Sequence, residues 1–142
     1  MTNIKKPDYK FCPRCGHTLT KKIINEKKEL VCNSCGFIFW IQPMVSVTAL
    51  ITSNSKVLLI MRGKGWREGY WVMPGGFVDF GETPGDALRR ELQEEIGLDY
   101  KGEMELIAVC EDTFDPSGTG VEIFYCIRTP EASRKFTSTK EA

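Results

Sequence analysis

The run Arg90-Glu91-Leu92-Gln93-Glu94-Glu95 places three carboxylates on little more than one helical turn. Like charges three and four residues apart repel on a helix by about 0.2–0.5 kcal/mol per pair, so folding alone gives no reason for the arrangement. A hard divalent cation does. Such ions take carboxylate oxygens, and Glu91 and Glu95 project from one helix face with Glu94 beside them. The alternative is a solvated acidic face, which is what most charge runs are. The flanking residues favour the cation. Thr83 is an N-cap with Pro84 at the first helical position and Asp86 in the first turn; Ala87, Leu88, Leu92 and Ile96 recur at helical spacing, and Gly97 is a natural stop. The spacing predicts a helix over 83–96. Ahead of it, Pro74-Gly75-Gly76 and Gly81 predict a glycine-rich loop where backbone can approach an anion or a metal closely.

A second group has metal-ligand spacing: Cys12-Pro13-Arg14-Cys15-Gly16 and Cys32-Asn33-Ser34-Cys35-Gly36, with 16 residues between the pairs. Two C-x2-C knuckles at that separation read as a structural zinc site closed by four thiolates. Two disulfides are the competing reading. The residues before Cys12 do not resemble a secretory signal, and Cys110 and Cys126 sit in strand-like segments as ordinary apolar residues, so zinc is the expectation. His17 could replace a thiolate but is expected to be a surface residue beside the knuckle. A unit of about forty residues buries too little apolar surface to fold alone, so the metal would act as its core.

The segment from Gly76 to Leu98 resembles the Nudix box, G-x5-E-x7-R-E-U-x-E-E-x-G-U with U a bulky aliphatic residue. Every fixed position is met, by Gly76, Glu82, Arg90, Glu91, Leu92, Glu94, Glu95, Gly97 and Leu98. The resemblance implies Mg²⁺-dependent (or Mn²⁺-dependent) hydrolysis of the pyrophosphate in a nucleoside diphosphate linked to another moiety. It also implies that Glu91 and Glu95 bind metal, that Glu94 is a further ligand or a proton acceptor, and that the carbonyl of Gly75 completes the coordination sphere. Glu82 and Arg90 are read as an oppositely charged pair that holds the loop against the helix. The general base stays open, because similar enzymes take it from different places. The implied fold class is α/β, a Nudix-type α/β/α sandwich preceded by a small zinc ribbon.

The remaining elements must position these groups. Leu19–Ile24 and Glu29–Val31 read as strands around an Asn25–Lys28 turn, and Phe37–Ile41 as a third, so residues 1–42 form the ribbon with its N-terminal tail and 43–142 the Nudix domain. Met44–Thr52 and Lys56–Arg62 read as a hairpin through Ser53-Asn54-Ser55, then Tyr70–Met73 as a short strand. Met104–Thr113 and Val121–Arg128 read as two more strands, with a turn-rich stretch from Asp115 to Gly120 between them. The formal charge is zero over 142 residues, 42% of them apolar, with no apolar run of membrane length. A cytoplasmic protein is the expectation. Residues 1–43 carry eight Lys and Arg against three acids, a balance of +5. That surplus fits an internal docking surface or solubility better than nucleic-acid binding, since base-stacking aromatics are not interleaved with the basic residues.

Several groups around the box invite a role. Trp66, Tyr70, Trp71, Phe77 and Phe80 can stack a nucleobase, although aromatics beside strands are more often core. Arg62, Lys64 and Arg67 can neutralise phosphates, and Arg62, at a strand end near the glycines, is the preferred one; Arg62, Gly75 and Gly76 are therefore the expected substrate-binding residues. Glu111, Asp112, Asp115 and Glu122 can add a ligand from beyond the box, and none has a spacing that singles it out. The chain departs from similar enzymes at its end: Thr129–Ala142 is polar and without apolar period where they continue into another strand and a closing helix. Two expectations follow: in a complete enzyme Glu141 or a loop carboxylate such as Glu111 or Glu122 supplies the further ligand, whereas in a shortened domain an unpaired sheet edge recruits a second copy into a homodimer or leaves a poorly active monomer.

A cysteine ribbon ahead of the box resembles the NADH pyrophosphatases and the enzymes acting on ADP-ribose or FAD. The Ser-Gln-Pro-Trp-Pro-Phe-Pro motif of the NADH group is absent. ADP-ribose or FAD is therefore the expected substrate, NADH the second. A Nudix-like nucleotide sensor or nucleic-acid-binding module that does not cleave is the alternative of another class, disfavoured by the complete set of glutamates.

Overall fold

A computed structural model describes residues 8–65, 67–112 and 120–129. Trp66, Asp115 and most of the turn around it, and the segment from Pro130 to Ala142 with Glu141 lie outside the described residues. The internal contacts divide the chain between Pro43 and Met44.

In the N-terminal unit, strands β1 (Leu19–Ile24) and β2 (Lys27–Cys32) form an antiparallel hairpin, and β3 (Ile38–Phe39) pairs with β2. The turn is Asn25-Glu26 alone, with φ of 47° and 63°, not the four-residue turn the sequence predicts. Positive φ at both positions is the type I′ two-residue loop, whose first position asparagine tolerates, so Lys27 and Lys28 are released into the strand. The third strand is also shorter than Phe37–Ile41, because only Leu30 and Val31 offer it partners. Cys12, Leu19, Leu30 and Cys32 are buried together, with Phe37, Phe39 and Ile41 packed against them.

The C-terminal unit is built on β4 (Met44–Ser53), β5 (Lys56–Val57), β6 (Ile60–Met61), β7 (Trp71–Val72), β8 (Gly75–Phe77), helix α1 (Pro84–Ile96), β9 (Glu105–Asp112) and β10 (Gly120–Arg128). The main sheet runs β5-β4-β10-β9, with β8 also pairing with β4. β4 and β10 are parallel, Val47 opposite Ile123, while β9 and β8 are antiparallel to their neighbours. The predicted strand Lys56–Arg62 is broken. Leu58 donates its N–H to Ile51 and packs against the core, and β6 then leaves to form a separate two-stranded ribbon with β7. The glycine-rich loop is likewise a strand where Gly75 and Gly76 lie.

The four apolar positions read as one helical stripe, Ala87, Leu88, Leu92 and Ile96, are buried against Val47, Ala49, Ile51 and Ile127 of the sheet. Burying a leucine side chain contributes about 1.5–3 kcal/mol, so this stripe fixes which face of α1 is left for chemistry. Among the described residues no helix is long and apolar enough to cross a membrane.

Candidate active site and four-cysteine centre

The start of α1 is set as the sequence predicts. Thr83 has extended backbone and its Oγ1 accepts from the Asp86 N–H, while Gly97 at φ 68° ends the helix, its N–H bonding the Gln93 carbonyl at 3.1 Å. With the apolar stripe inward, Glu91 and Glu95 lie along β8. The fit there is close: a Cβ on Gly76 would stand 2.3 Å from Glu91 Oε1, and one on Gly75 would stand 2.1 Å from the Val47 carbonyl oxygen. Only glycine lets the carboxylate and the sheet approach the β8 backbone at these two positions. The Gly75 N–H donates to Glu95 Oε2 at 2.9 Å.

Arg90 organises the rest. Its Nε and Nη2 bind both oxygens of Glu82 at 2.9 and 3.0 Å, Nη2 also donates to the Phe77 carbonyl at 3.0 Å, and Nη1 donates to Glu91 at 2.7 Å and Glu94 at 3.2 Å. The guanidinium hydrogen-bonds hold Glu82 below the ordinary carboxylate range, and Glu82 and Glu91 push Arg90 above its own. Burial pushes the Glu95 carboxyl up to about 7, against the Gly75 N–H and Arg62, and the charge of Glu91 and Glu94 adds to the rise.

The structure thus brings together Glu82, Arg90, Glu91, Glu94, Glu95, Gly75 and Gly76, with Arg62 near enough to act on Glu95. Their oxygens do not converge on one point. Among the described residues the four cysteines are the one group of three or more His, Cys, Asp or Glu whose ligand atoms come together. The reason is visible in the contacts: Arg90 draws Glu91 and Glu94 towards itself, and Glu95 turns to the Gly75 N–H. The donor set still suits a hard divalent ion, being all oxygen, with a half-buried carboxyl crowded by two others and a glycine cradle that keeps Glu91 in place. The Phe77 carbonyl as an Arg90 acceptor was not legible, because backbone acceptors leave no mark on residue type.

The aromatics depart from expectation. Tyr70, Trp71, Phe77 and Phe80 are all exposed, so none is core. β6 and β7 form a ribbon of two short strands, which has one buried face only. Glu111 is exposed on β9, and Glu122 accepts from Thr48 Oγ1 at 2.6 Å.

In the other unit the sulfurs of Cys12, Cys15, Cys32 and Cys35 lie within 4.8 Å of one another, three of the pairs at 3.4, 3.5 and 3.7 Å. Tetrahedral Zn–S bonds of about 2.3 Å set sulfurs about 3.8 Å apart, whereas a disulfide needs about 2.05 Å. All four are free thiols. Gly16 and Gly36, at φ 75° and 73°, close matching turns by donating to the carbonyls of Cys12 and Cys32. The backbone N–H groups of Cys35 and Ser34 draw the Cys32 thiol down to about 6, against its burial. His17 is exposed, with Nδ1 beside the Cys15 carbonyl at 3.2 Å, and is outside the cluster.

A carboxylate helix packed on a mixed sheet, its acidic face against a glycine strand, defines a Nudix fold. The chain belongs to the Nudix family: residues 42–141 match the NUDIX domain and residues 10–40 match the zinc-ribbon family described as Nudix N-terminal. It is 34% identical over 112 residues to an ADP-ribose pyrophosphatase of Methanocaldococcus jannaschii, covering 79% of this chain and 63% of that protein. It is 27% identical over 127 residues to the human mitochondrial NAD(P)H pyrophosphatase NUDT13, covering 81% of this chain and 35% of the relative. An NAD-capped RNA hydrolase, NudC of Pseudomonas fluorescens, is 28% identical over 94 residues, 66% of this chain and 33% of that one. Among solved structures, a NUDIX hydrolase from Nitrosomonas europaea superposes with a TM-score of 0.76 at 27% identity, covering 94% of this chain and 74% of that chain. The chain therefore spans less than two thirds of the length of these three sequence relatives.

Proposed function

We propose that the chain hydrolyses the pyrophosphate of a nucleoside diphosphate derivative, with ADP-ribose or FAD as substrate. The observation that carries the reading is the arrangement of Glu91, Glu94 and Glu95 on the open face of α1, braced by Arg90 and backed by Gly75 and Gly76. Glu91 and Glu95 would hold Mg²⁺ or Mn²⁺, with Glu94 a further ligand or proton acceptor and the Gly75 carbonyl a backbone ligand. Held there, such an ion would supply neutralisation of phosphoryl charge and an activated water. Arg90 and Glu82 act on the carboxylates rather than on substrate: their bidentate pair fixes the loop from Phe77 to Glu82 against the helix, so that the metal-binding oxygens keep their places. Arg62 contributes positive charge beside Glu95 for the substrate phosphates. The four thiolates of Cys12, Cys15, Cys32 and Cys35 would hold a structural zinc.

The similarity to an archaeal ADP-ribose pyrophosphatase supports this substrate, and that to NUDT13 supports NADH as the second reading. The test is a panel of ADP-ribose, FAD and NADH incubated with Mg²⁺, with AMP release followed by chromatography. Release from ADP-ribose or FAD ahead of NADH is expected; NADH alone would select the second reading, and no release from any of them would end the proposal. A homodimer is the proposed assembly, since β9 ends the sheet among the described residues with Leu106, Ile107 and Val109 exposed. A molecular mass measured in solution checks it.

A further inference from the structure

The two cysteine knuckles repeat one arrangement, and in each the two thiols have unlike surroundings. The first cysteine of each is tied through its backbone on both sides. The Cys12 N–H donates to the His17 carbonyl at 2.7 Å and the Cys12 carbonyl accepts from the Gly16 N–H at 2.8 Å; Cys32 makes the same pair of bonds with Phe37 and Gly36 at 2.8 and 3.0 Å. Both are buried, packed with Leu19 and Leu30. The second cysteine of each knuckle stands on the turn so enclosed, Cys15 exposed and Cys35 half-buried. These two accessible sulfurs are also neighbours, at 3.4 Å the shortest of the three close sulfur contacts. The other two, Cys15 with Cys32 at 3.5 Å and Cys12 with Cys35 at 3.7 Å, each involve a buried sulfur.

The thiolate is both the form that binds zinc and the form that a peroxide oxidises. A small oxidant arriving from water meets Cys15 before it meets the buried pair. The Cys15 sulfur attacks one oxygen of hydrogen peroxide: an S–O bond forms, the O–O bond breaks and hydroxide leaves, so Cys15 is oxidised to a sulfenic acid and the peroxide takes two electrons. The Cys35 thiolate then attacks that sulfur; an S–S bond forms, the S–O bond breaks and a second hydroxide leaves. With two protons from solvent, two thiolates and one hydrogen peroxide give one disulfide and two waters. From 3.4 Å the sulfurs need to close by only about 1.4 Å to reach the disulfide length of about 2.05 Å. Two of the four thiolates are then spent, and Cys12 and Cys32 alone are too few to close a structural zinc site. The new bond joins the same two knuckles, one on each side of the β1–β2 hairpin, so the hairpin stays tied at its base while the metal site opens.

We infer that Cys15 and Cys35 are a peroxide-sensitive pair, through which the N-terminal unit exchanges a structural zinc for a disulfide. The exchange rests on the zinc reading proposed above, and two readouts keep them separable. The protein is prepared as Cys110→Ser, since Cys110 is the other exposed cysteine and would react from β9. Metal analysis before treatment tests the zinc reading, with about one zinc per chain expected. Stoichiometric hydrogen peroxide is then added and zinc release followed with a chromogenic chelator; the remaining thiols are alkylated under denaturing conditions and the peptides mapped by mass spectrometry. Most of the bound zinc is lost in step with formation of a Cys15–Cys35 disulfide, while Cys12, Cys32 and Cys126 take the alkylating label. A dithiol reductant with added zinc restores the starting content. A disulfide between Cys15 and Cys32 or between Cys12 and Cys35, oxidation of Cys15 that runs on to the sulfinic acid, or thiols that all survive the peroxide would each overturn the pairing. Zinc retained by the disulfide-bonded protein would overturn the exchange. If the untreated protein holds no zinc, the zinc reading fails, and the peptide map still decides whether Cys15 and Cys35 are the sensitive pair.

Discussion

At the scale of single residues, Arg90 changes how the acidic helix must be understood. From spacing alone, Glu91, Glu94 and Glu95 repel one another, and neutralising any of them relieves strain. With Arg90 bonded to Glu91 and Glu94, that relief is left to Glu95, whose burial and crowding raise its pKa to about 7. Two predictions follow different readouts. Glu91→Gln and Glu95→Gln each lower turnover by several orders of magnitude, measured as AMP release at saturating Mg²⁺, because each removes an oxygen proposed to bind the metal; unaltered turnover in both would remove the mechanism. Their stabilities part company. Glu95 has a folded pKa above its unfolded one, so the folded state binds the extra proton, and stability of the metal-free protein falls as pH rises from about 4.5 through about 7. Discounted for its partial solvent exposure, the loss is on the order of 1–2 kcal/mol. Glu95→Gln abolishes that slope in urea titrations at pH 5 and pH 8, whereas Glu91→Gln only reduces it, by the share that the Glu91 charge adds, and costs the Arg90 contact. Identical pH dependence in the parent and Glu95→Gln would contradict the burial argument.

At the scale of elements, what the sequence makes legible is the periodic and the punctuated. Helix α1, its Thr83 cap and its Gly97 stop follow from local chemistry that nothing distant overrides, and so do the ten-residue β4 and the partners of the box, Glu82 with Arg90. Two elements went unread for one reason: their form is decided by what lies across from them. Gly75 and Gly76 have loop composition yet form a strand, because β4 offers hydrogen bonds and only glycine admits the Val47 carbonyl and the Glu91 carboxylate at that distance. Leu58 breaks an apparently continuous strand by turning into the core. The first case carries a prediction. Gly76→Ala drives a methyl into the Glu91 carboxylate, the far end of a side chain that can swing aside, so it lowers turnover by displacing that carboxylate and costs stability no more than about 1 kcal/mol. Leu92→Ala, at a fully buried position of the same helix, costs about 2–5 kcal/mol but acts through the fold. Denaturant midpoints and turnover measured on both variants separate them. An active, stable Gly76→Ala protein would show that β8 does not constrain Glu91.

At the scale of the whole molecule, the chain is two units with different sources of stability. Among the described residues, those from Met44 onward have a core cluster of ten buried side chains around α1 and β4, including Leu88, Leu92 and Ile51. The core cluster of the N-terminal unit has four among its described residues, of which Cys12 and Cys32 are themselves members of the thiol cluster. So small a core does not offset the entropy of ordering some thirty residues without a further bond, and the proposed zinc joining both knuckles would be that bond. The prediction is that loss of zinc is felt locally. Cys32→Ser leaves three thiolates and breaks one knuckle; elemental analysis of the purified protein finds about one zinc per chain in the parent and almost none in the variant. Hydrogen exchange then shows β1 and β2 unprotected while the amides of β4, β10 and α1 keep their protection, and Mg²⁺ still binds the glutamates. Zinc retained by Cys32→Ser, or protection lost throughout β4 and β10, would mean that the thiol cluster is not the separate core of the N-terminal unit. The same reasoning sets a direction for acid: thiolates must be deprotonated to hold zinc, so lowering the pH releases the ion and unfolds the ribbon before α1 loses its packing.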